Sequence, residues 1–175
     1  MFCNIKLMMV KLNLGCGNDK RSGYINIDVR EDVKPDLVVD LEEEFLRRFA
    51  DGSVDEIFAK DFIEHLSWRL VKAFLKDCFR VLKRGGRMFI QTPDLEAICK
   101  TCVFNPNYRF GELEGFEGIS FWIYGAQDYK ENLHKCGFTI PTLKRLLEEI
   151  GFKVISISND GGSNIVCWVE KPTGS

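Results

Sequence analysis

Five short runs of branched and aromatic residues, each closed by turn formers, constrain this chain more than any other feature. Lys11-Leu12-Asn13-Leu14 stops at Gly15-Cys16-Gly17, and Tyr24-Ile25-Asn26-Ile27 stops at Asp28. Leu37-Val38-Val39 follows Pro35 and stops at Asp40. Residues 54–59 follow the turn Asp51-Gly52-Ser53, and residues 87–92 follow Gly85-Gly86. Runs this short and this apolar read as strands covered on both faces, the pattern of a parallel sheet. Between the last two, Val71, Phe74, Leu75, Cys78, Phe79 and Leu82 recur at helical spacing, which predicts a helix with one apolar stripe. Ser67 is its expected N-cap and Gly85 its expected stop. A shorter helix is expected over residues 42–50. Another opens at Pro141-Thr142, buries Leu143, Leu146, Leu147 and Ile150, and ends at Gly151. Two last strands, 153–158 and 165–169, are joined by Asn159-Asp160-Gly161-Gly162. A connection that short cannot carry a parallel crossover, so they must form a hairpin. The expected fold is α/β: an open, mostly parallel sheet of seven strands with one antiparallel strand in a C-terminal hairpin.

A length of 175 residues suits one domain spanning 1–175, since ~150 residues already bury ~70% of the unfolded surface. With 24 Lys and Arg against 26 Asp and Glu, the net charge of −2 offers no field to hold a polyanion, so nucleic acid is not an expected partner. The row Arg69, Lys72, Lys76, Arg80 and Lys83 along the first helix is then better read as a solvated face than as a phosphate-binding surface. No apolar run nears the ~18 residues of a membrane span, and no membrane partner is expected. Leu7-Met8-Met9-Val10, between Lys6 and Lys11, is too short for the core of a secretion signal. Fourteen Phe, three Trp and four Tyr exclude a disordered chain, because so many rings demand burial. Seven cysteines, odd in number and scattered, read as free thiols in a reducing, cytoplasmic compartment.

In open α/β sheets, ligands bind beyond the carboxyl ends of the strands. There the Gly15-Cys16-Gly17 bend lets a ligand approach bare backbone. A dinucleotide fingerprint would need a third glycine where Lys20 stands, so the bend suits a ligand without phosphates. Asp28, ending the second strand, can accept both hydroxyls of a ribose, or serve as a turn aspartate. Asp40, ending the third, is placed either near a purine amino group or as the cap of the 42–50 helix.

These motifs together resemble a class I S-adenosylmethionine-dependent methyltransferase. The resemblance rests on Leu12-Asn13-Leu14-Gly15-Cys16-Gly17, Ile25-Asn26-Ile27-Asp28, Asp40-Leu41, Ser53-Val54-Asp55-Glu56-Ile57, Ile63-Glu64-His65 and Arg80-Val81-Leu82-Lys83-Arg84-Gly85-Gly86. It runs from about residue 10 to 170. More narrowly, Ile123-Tyr124-Gly125-Ala126-Gln127 and His134-Lys135-Cys136-Gly137-Phe138-Thr139 are similar to small predicted methyltransferases associated with surface-polysaccharide synthesis. The resemblance implies a Rossmann-like sheet with helices on both faces. It implies S-adenosyl-L-methionine as cofactor, with S-adenosyl-L-homocysteine as product, held by Gly15, Cys16, Gly17, Asn18, Asp28, Val29, Asp40, Leu41, Lys60 and Asp61. One departure stands out. Only nine residues, 15–23, separate the first strand from Tyr24, too few for the family's first crossover helix, so a trimmed helix or tight loop and a more exposed cofactor site are expected.

Methyl transfer from a sulfonium needs an aligned nucleophile and a dry site, and a base only if the acceptor arrives protonated. The insertion 103–135, rich in glycine and aromatic residues, is the expected acceptor lid, with Trp122, Tyr124 and Gln127 as substrate contacts. It reads equally as a cap over the sheet end or as the surface of a homodimer. His134 is the first choice of base, then His65, with Asp61 beside the cofactor; each also fits a plain packing or turn role. Cys99 and Cys102, with His134 and Cys136, have metal-ligand spacing, but the first pair falls in a helix and no metal site is expected. The expected function is methyl transfer to a small molecule or saccharide. The alternative is a non-catalytic module that binds cofactor or a partner in a methyltransferase-like fold.

Overall fold

A computed structural model describes residues 9–44 and 46–174; Cys3, Leu7, Met8 and Phe45, on which some expectations fall, lie outside them. The chain runs β1 (Lys11–Leu14), β2 (Ile25–Asp28), β3 (Leu37–Val38), β4 (Val54–Lys60), a 3-10 turn (Ile63–His65), α1 (Val71–Val81) and β5 (Leu82–Pro93). It continues through α2 (Leu95–Phe104), a small hairpin of β6 (Arg109–Phe110) and β7 (Leu113–Glu114), α3 (Phe116–Tyr124), α4 (Ile140–Ile150), β8 (Lys153–Asn159) and β9 (Asn164–Glu170). Seven strands form one sheet in the order β3-β2-β1-β4-β5-β9-β8, and β9 alone runs against the direction of the other six. The order reverses direction between β1 and β4, which opens a crevice at their carboxyl ends. Leu14 pairs with Ile27 on one side and Ala59 on the other, so Gly15, Asp28 and Lys60 end their strands at one edge.

One sheet face carries Leu12, Leu14, Ile57, Ala59, Met88, Ile90, Cys167 and Val169, all fully buried. Phe74, Leu75 and Cys78 of α1 and Leu143 and Leu147 of α4 complete that core. Thr139 caps α4 by bonding Thr142, and Gly151 ends it with φ +114°. The opposite face is aromatic. Phe58 stacks on Phe89 at 4.5 Å between centroids, and Phe89 meets Trp168 at 5.2 Å. Arg21 lays its guanidinium 3.7 Å over Phe58.

That arginine belongs to the 15–24 connection, which is a tight loop with no helix. Buried amides hold it: Asn13 donates to Asn26 Oδ1 (2.9 Å) and to the Asp19 carbonyl (2.8 Å), while Asn26 Oδ1 also accepts the Arg21 N–H (2.8 Å). The expected helix stop, Gly85, lies within β5, past the end of α1 at Val81, and two further expectations give way. The described residues of 42–50 form turns rather than a helix, because α1 takes the backbone groups a helix would pair internally. Asp77 accepts the Leu46 N–H at 2.8 Å, and Arg80 donates to the carbonyls of Leu46 (3.2 Å) and Phe49 (3.0 Å). Ser67 opens a turn one step upstream of α1, its carbonyl accepting from Leu70 and Val71, so it is not the helix N-cap. Three members of the expected basic row are engaged at home: Lys72 and Arg80 of α1 with Glu149 and with Asp77 and Asp51, and Lys83, which lies in β5, with Asp55. No described helix is long and apolar enough to cross a membrane.

Candidate functional site

The crevice holds a cavity of about 590 Å³ beyond the carboxyl ends of β1 to β4, inside the range of small-ligand sites. Gly15, Gly17, Asp28, Val29, Asp40, Leu41, Asp61 and His65 all line it. The bend is glycine for physical reasons: Gly15 and Gly17 have φ of +61° and +48°, and a side-chain carbon at Gly15 would overlap the Phe62 ring. Asp28 points back at the bend. Its Oδ2 accepts the Gly17 N–H at 2.7 Å and its Oδ1 the Arg30 N–H at 2.9 Å, which leaves a lone pair on each oxygen for a ligand hydroxyl. Asp40 lines the cavity, and its Oδ1 accepts the Glu42 N–H at 2.8 Å within a turn, with no helix there for it to cap.

Other expected contacts sit elsewhere. The Cys16 side chain is buried in the fold, where desolvation and then the nearby Asp28 push its thiol up to about 11. Asn18 is exposed outside the cavity lining, and Lys60 reaches out to Asp19 at 3.8 Å. Trp122 lines a separate cavity of about 280 Å³ with Cys102 and Tyr108, between α2, α3 and residues 161–163. Tyr124 is 56% exposed and Gln127 exposed; neither lines either cavity.

The insertion returns over the large cavity through residues the sequence did not single out, Tyr129, Lys130, Glu131 and Leu133. Arg30 places its guanidinium 4.2 Å from the Tyr129 ring, joining the β2 end to that return. Where the return meets the 3-10 turn after β4, the Lys135 N–H donates to the Glu64 carbonyl at 2.8 Å. Glu64 is fully buried, its Oε2 accepting the Thr92 hydroxyl at 3.0 Å; burial pushes its carboxyl up to about 8. The only advance sign of Glu64 was its place in Ile63-Glu64-His65. Asp61, at φ +50°, is anchored by Gln91, whose amide donates to both its oxygens at 3.0 and 3.2 Å. Burial raises the Asp61 carboxyl above its ordinary value.

His65 and His134 meet edge to face with centroids 5.1 Å apart. Burial, followed by the neighbouring His134, lowers His65 to about 4, and burial lowers His134 as well. Both rings are therefore neutral at pH 7 and weak as bases, better suited to accept a hydrogen bond than to remove a proton. Cys99 and Cys102 are not gathered with His134 and Cys136. Among the described residues, the group of three possible ligands within 4.8 Å of one another is Glu64, His65 and His134.

A family model described as a methyltransferase domain matches residues 12–90, the stretch that builds the bend, Asp28, Asp40 and the Asp61–His65 turn. A search of curated proteins finds no match. Among solved structures, a S-adenosylmethionine-dependent methyltransferase from Archaeoglobus fulgidus superposes with a TM-score of 0.63 at 17% identity, covering 95% of this chain and 87% of its own. The 1,6-didemethyltoxoflavin N1-methyltransferase of Burkholderia thailandensis, solved with its substrate and S-adenosylhomocysteine, gives 0.59 at 13% identity, covering 93% and 71%. The [4+2]-cyclase SpnF gives 0.60 at 12% identity, covering 95% and 76%. The chain thus has the Rossmann-like fold of S-adenosylmethionine-dependent methyltransferases, one that also carries other chemistry.

Proposed function

We propose that this chain binds S-adenosylmethionine in the large cavity and transfers its methyl group to a small-molecule or saccharide acceptor. The observation that carries the reading is the charge of the cavity around its glycine bend. Six carboxylates, Asp28, Asp40, Glu42, Glu43, Asp61 and Glu131, line it against two lysines, Lys130 and Lys135. Such a lining repels a pyrophosphate and attracts a ligand of net positive charge, which a sulfonium with an amino-acid tail is. The donor set fits that group: bare backbone at Gly15 and Gly17, and a carboxylate at Asp28 with lone pairs to spare for two ribose hydroxyls.

When bound, the cofactor supplies an already activated methyl carbon. The protein's part is placement and exclusion of water. Asp28 holds the sugar, Asp40 and Leu41 border the base, and the 129–135 return covers the opening. Asp61 and His65 stand at the side left for the acceptor, where the neutral His65 imidazole, backed by the His134 ring, accepts a hydrogen bond from an acceptor hydroxyl and orients its oxygen. A saccharide suits such a polar rim.

Calorimetry with S-adenosylhomocysteine tests the reading. Asp28→Asn removes the charge and one acceptor while keeping the hydrogen bond to the bend, so affinity should fall about ten- to a hundredfold. Absence of uptake by the parent protein would overturn the proposal. Uptake without turnover on any hydroxylated acceptor would assign the chain to the non-catalytic alternative.

A further inference from the structure

The two histidines and Glu64 carry more than an acceptor contact. The Nδ1 of His65 lies 3.1 Å from the Leu133 carbonyl, and the Nδ1 of His134 lies 3.2 Å from the Trp122 carbonyl. A carbonyl only accepts, so in each neutral ring Nδ1 holds the proton and Nε2 holds the free lone pair. Imidazoles that ligate metals are fixed in this way, with the other nitrogen donating to a main-chain carbonyl or carboxylate. Glu64 adds a buried carboxyl group with no cationic partner among the described residues, which would lose its proton on binding an ion; Thr92 donates to one oxygen. Gly125 makes room for the arrangement, since a side-chain carbon there would stand 3.1 Å from the His134 ring.

A ring nitrogen from each histidine and a carboxylate oxygen of Glu64 lie within 4.8 Å of one another. Around a zinc ion, ligand atoms at ~2.0–2.2 Å from the metal stand ~3.4 Å apart, so the side chains need to close by at most about 1.5 Å. Three donors of this kind leave coordination positions open, as in catalytic sites built from two histidines and a glutamate.

We propose that Glu64, His65 and His134 bind a borderline divalent transition-metal ion of the zinc type, with its open positions toward the side of the cavity lined by His65 and Asp61. The site stands on its own geometry and does not require the methyltransferase reading. If both hold, the ion takes the imidazole lone pair that would otherwise accept from the acceptor hydroxyl, and an acceptor oxygen binds the ion instead of the ring.

Cobalt(II) is the probe, because its visible d–d absorption reports nitrogen and oxygen ligation. The exposed Cys99 and the half-buried Cys102 are first replaced by serine, and sulfur-to-cobalt charge-transfer absorption in the near ultraviolet reports whether any remaining thiol, Cys136 above all, is a ligand. The metal-stripped protein should take up one cobalt per chain, displaced by one equivalent of zinc. Glu64→Gln keeps the side chain's shape and its bond from Thr92; it should weaken uptake more than about tenfold, as should His65→Gln and His134→Gln. Far-UV circular dichroism confirms that each variant is folded, and Glu64→Gln decides if a histidine variant is not. No one-to-one uptake, or uptake by Glu64→Gln equal to the parent's, overturns the ion site. Calorimetry with S-adenosylhomocysteine on the same parent protein reads the other proposal separately. Cofactor without cobalt overturns only the ion site, and cobalt without cofactor overturns only the methyltransferase reading.

Discussion

Cys16 occupies the middle of the glycine bend, yet its thiol faces the fold and not the ligand. Its N–H donates to the Ile27 carbonyl at 3.0 Å, fixing the bend to β2, while the side chain is only 4% exposed. Burial and Asp28 lift the thiol from 9.0 to about 11, so its thiolate fraction at pH 8 is about a hundredfold below that of a free cysteine. Iodoacetamide at pH 8 should therefore modify the exposed Cys99 and leave Cys16 intact, as read by peptide mass spectrometry. Rapid labelling of Cys16 in the folded protein would show that the bend opens. Asp28 is the complementary case. It carries the same backbone restraint on its side chain, because the bend and the end of β2 are held by one carboxylate.

Two connections replace helices with hydrogen bonds that reach across the fold. In the 15–24 loop, Asn13 and Asn26 satisfy each other and the loop backbone, and Asp36 accepts both the N–H and the amide of Asn26 at 2.7 and 2.8 Å. In the 42–52 segment the tie is Arg80 of α1. It donates to Asp77 and Asp51 at 2.6 Å each, as well as to two carbonyls, and its own carbonyl accepts the Gly52 N–H. Arg80→Met keeps most of the apolar stem but strands those two carbonyls. It should cost about 2–3 kcal/mol in urea unfolding. Arg80→Lys should recover little, since one ammonium cannot reach a fork of four acceptors. A loss below about 0.5 kcal/mol would mean that the segment holds itself.

For the whole molecule, binding and stability are linked because the large cavity is walled by five separate stretches: the bend, the ends of β2 and β3, the turn after β4 and the insertion's return. A ligand joining them at a hundred times its dissociation constant stabilises the fold by ~2.7 kcal/mol. In a domain of this size that raises the melting temperature by about 5–11 °C. S-adenosylhomocysteine should produce that shift in differential scanning fluorimetry. NAD should produce none, because its pyrophosphate meets the acidic lining.

The seven strands of the main sheet, the two long helices and the terminal hairpin were legible beforehand, since each depends on local spacing and on nearby turn residues, whereas the short β6–β7 hairpin was not. Gly15, Gly17 and Asp28 were legible for the same reason: they stand at strand ends, and strand ends in such a sheet share an edge. The turns at 42–50 were not, because the Asp77 and Arg80 that unwind the expected helix lie some thirty residues away. The cavity side of the insertion was also out of reach. Tyr124 and Gln127 looked apt by type, yet the return over the cavity is made by Tyr129, Lys130, Glu131 and Leu133. Periodicity and turn chemistry are properties of neighbours along the chain, so the sheet and its glycine bend could be read without any knowledge of the fold. Only the tertiary structure brought Glu64 and His65 to His134, about seventy residues later, because that meeting depends on where a loop without periodicity comes back to the sheet.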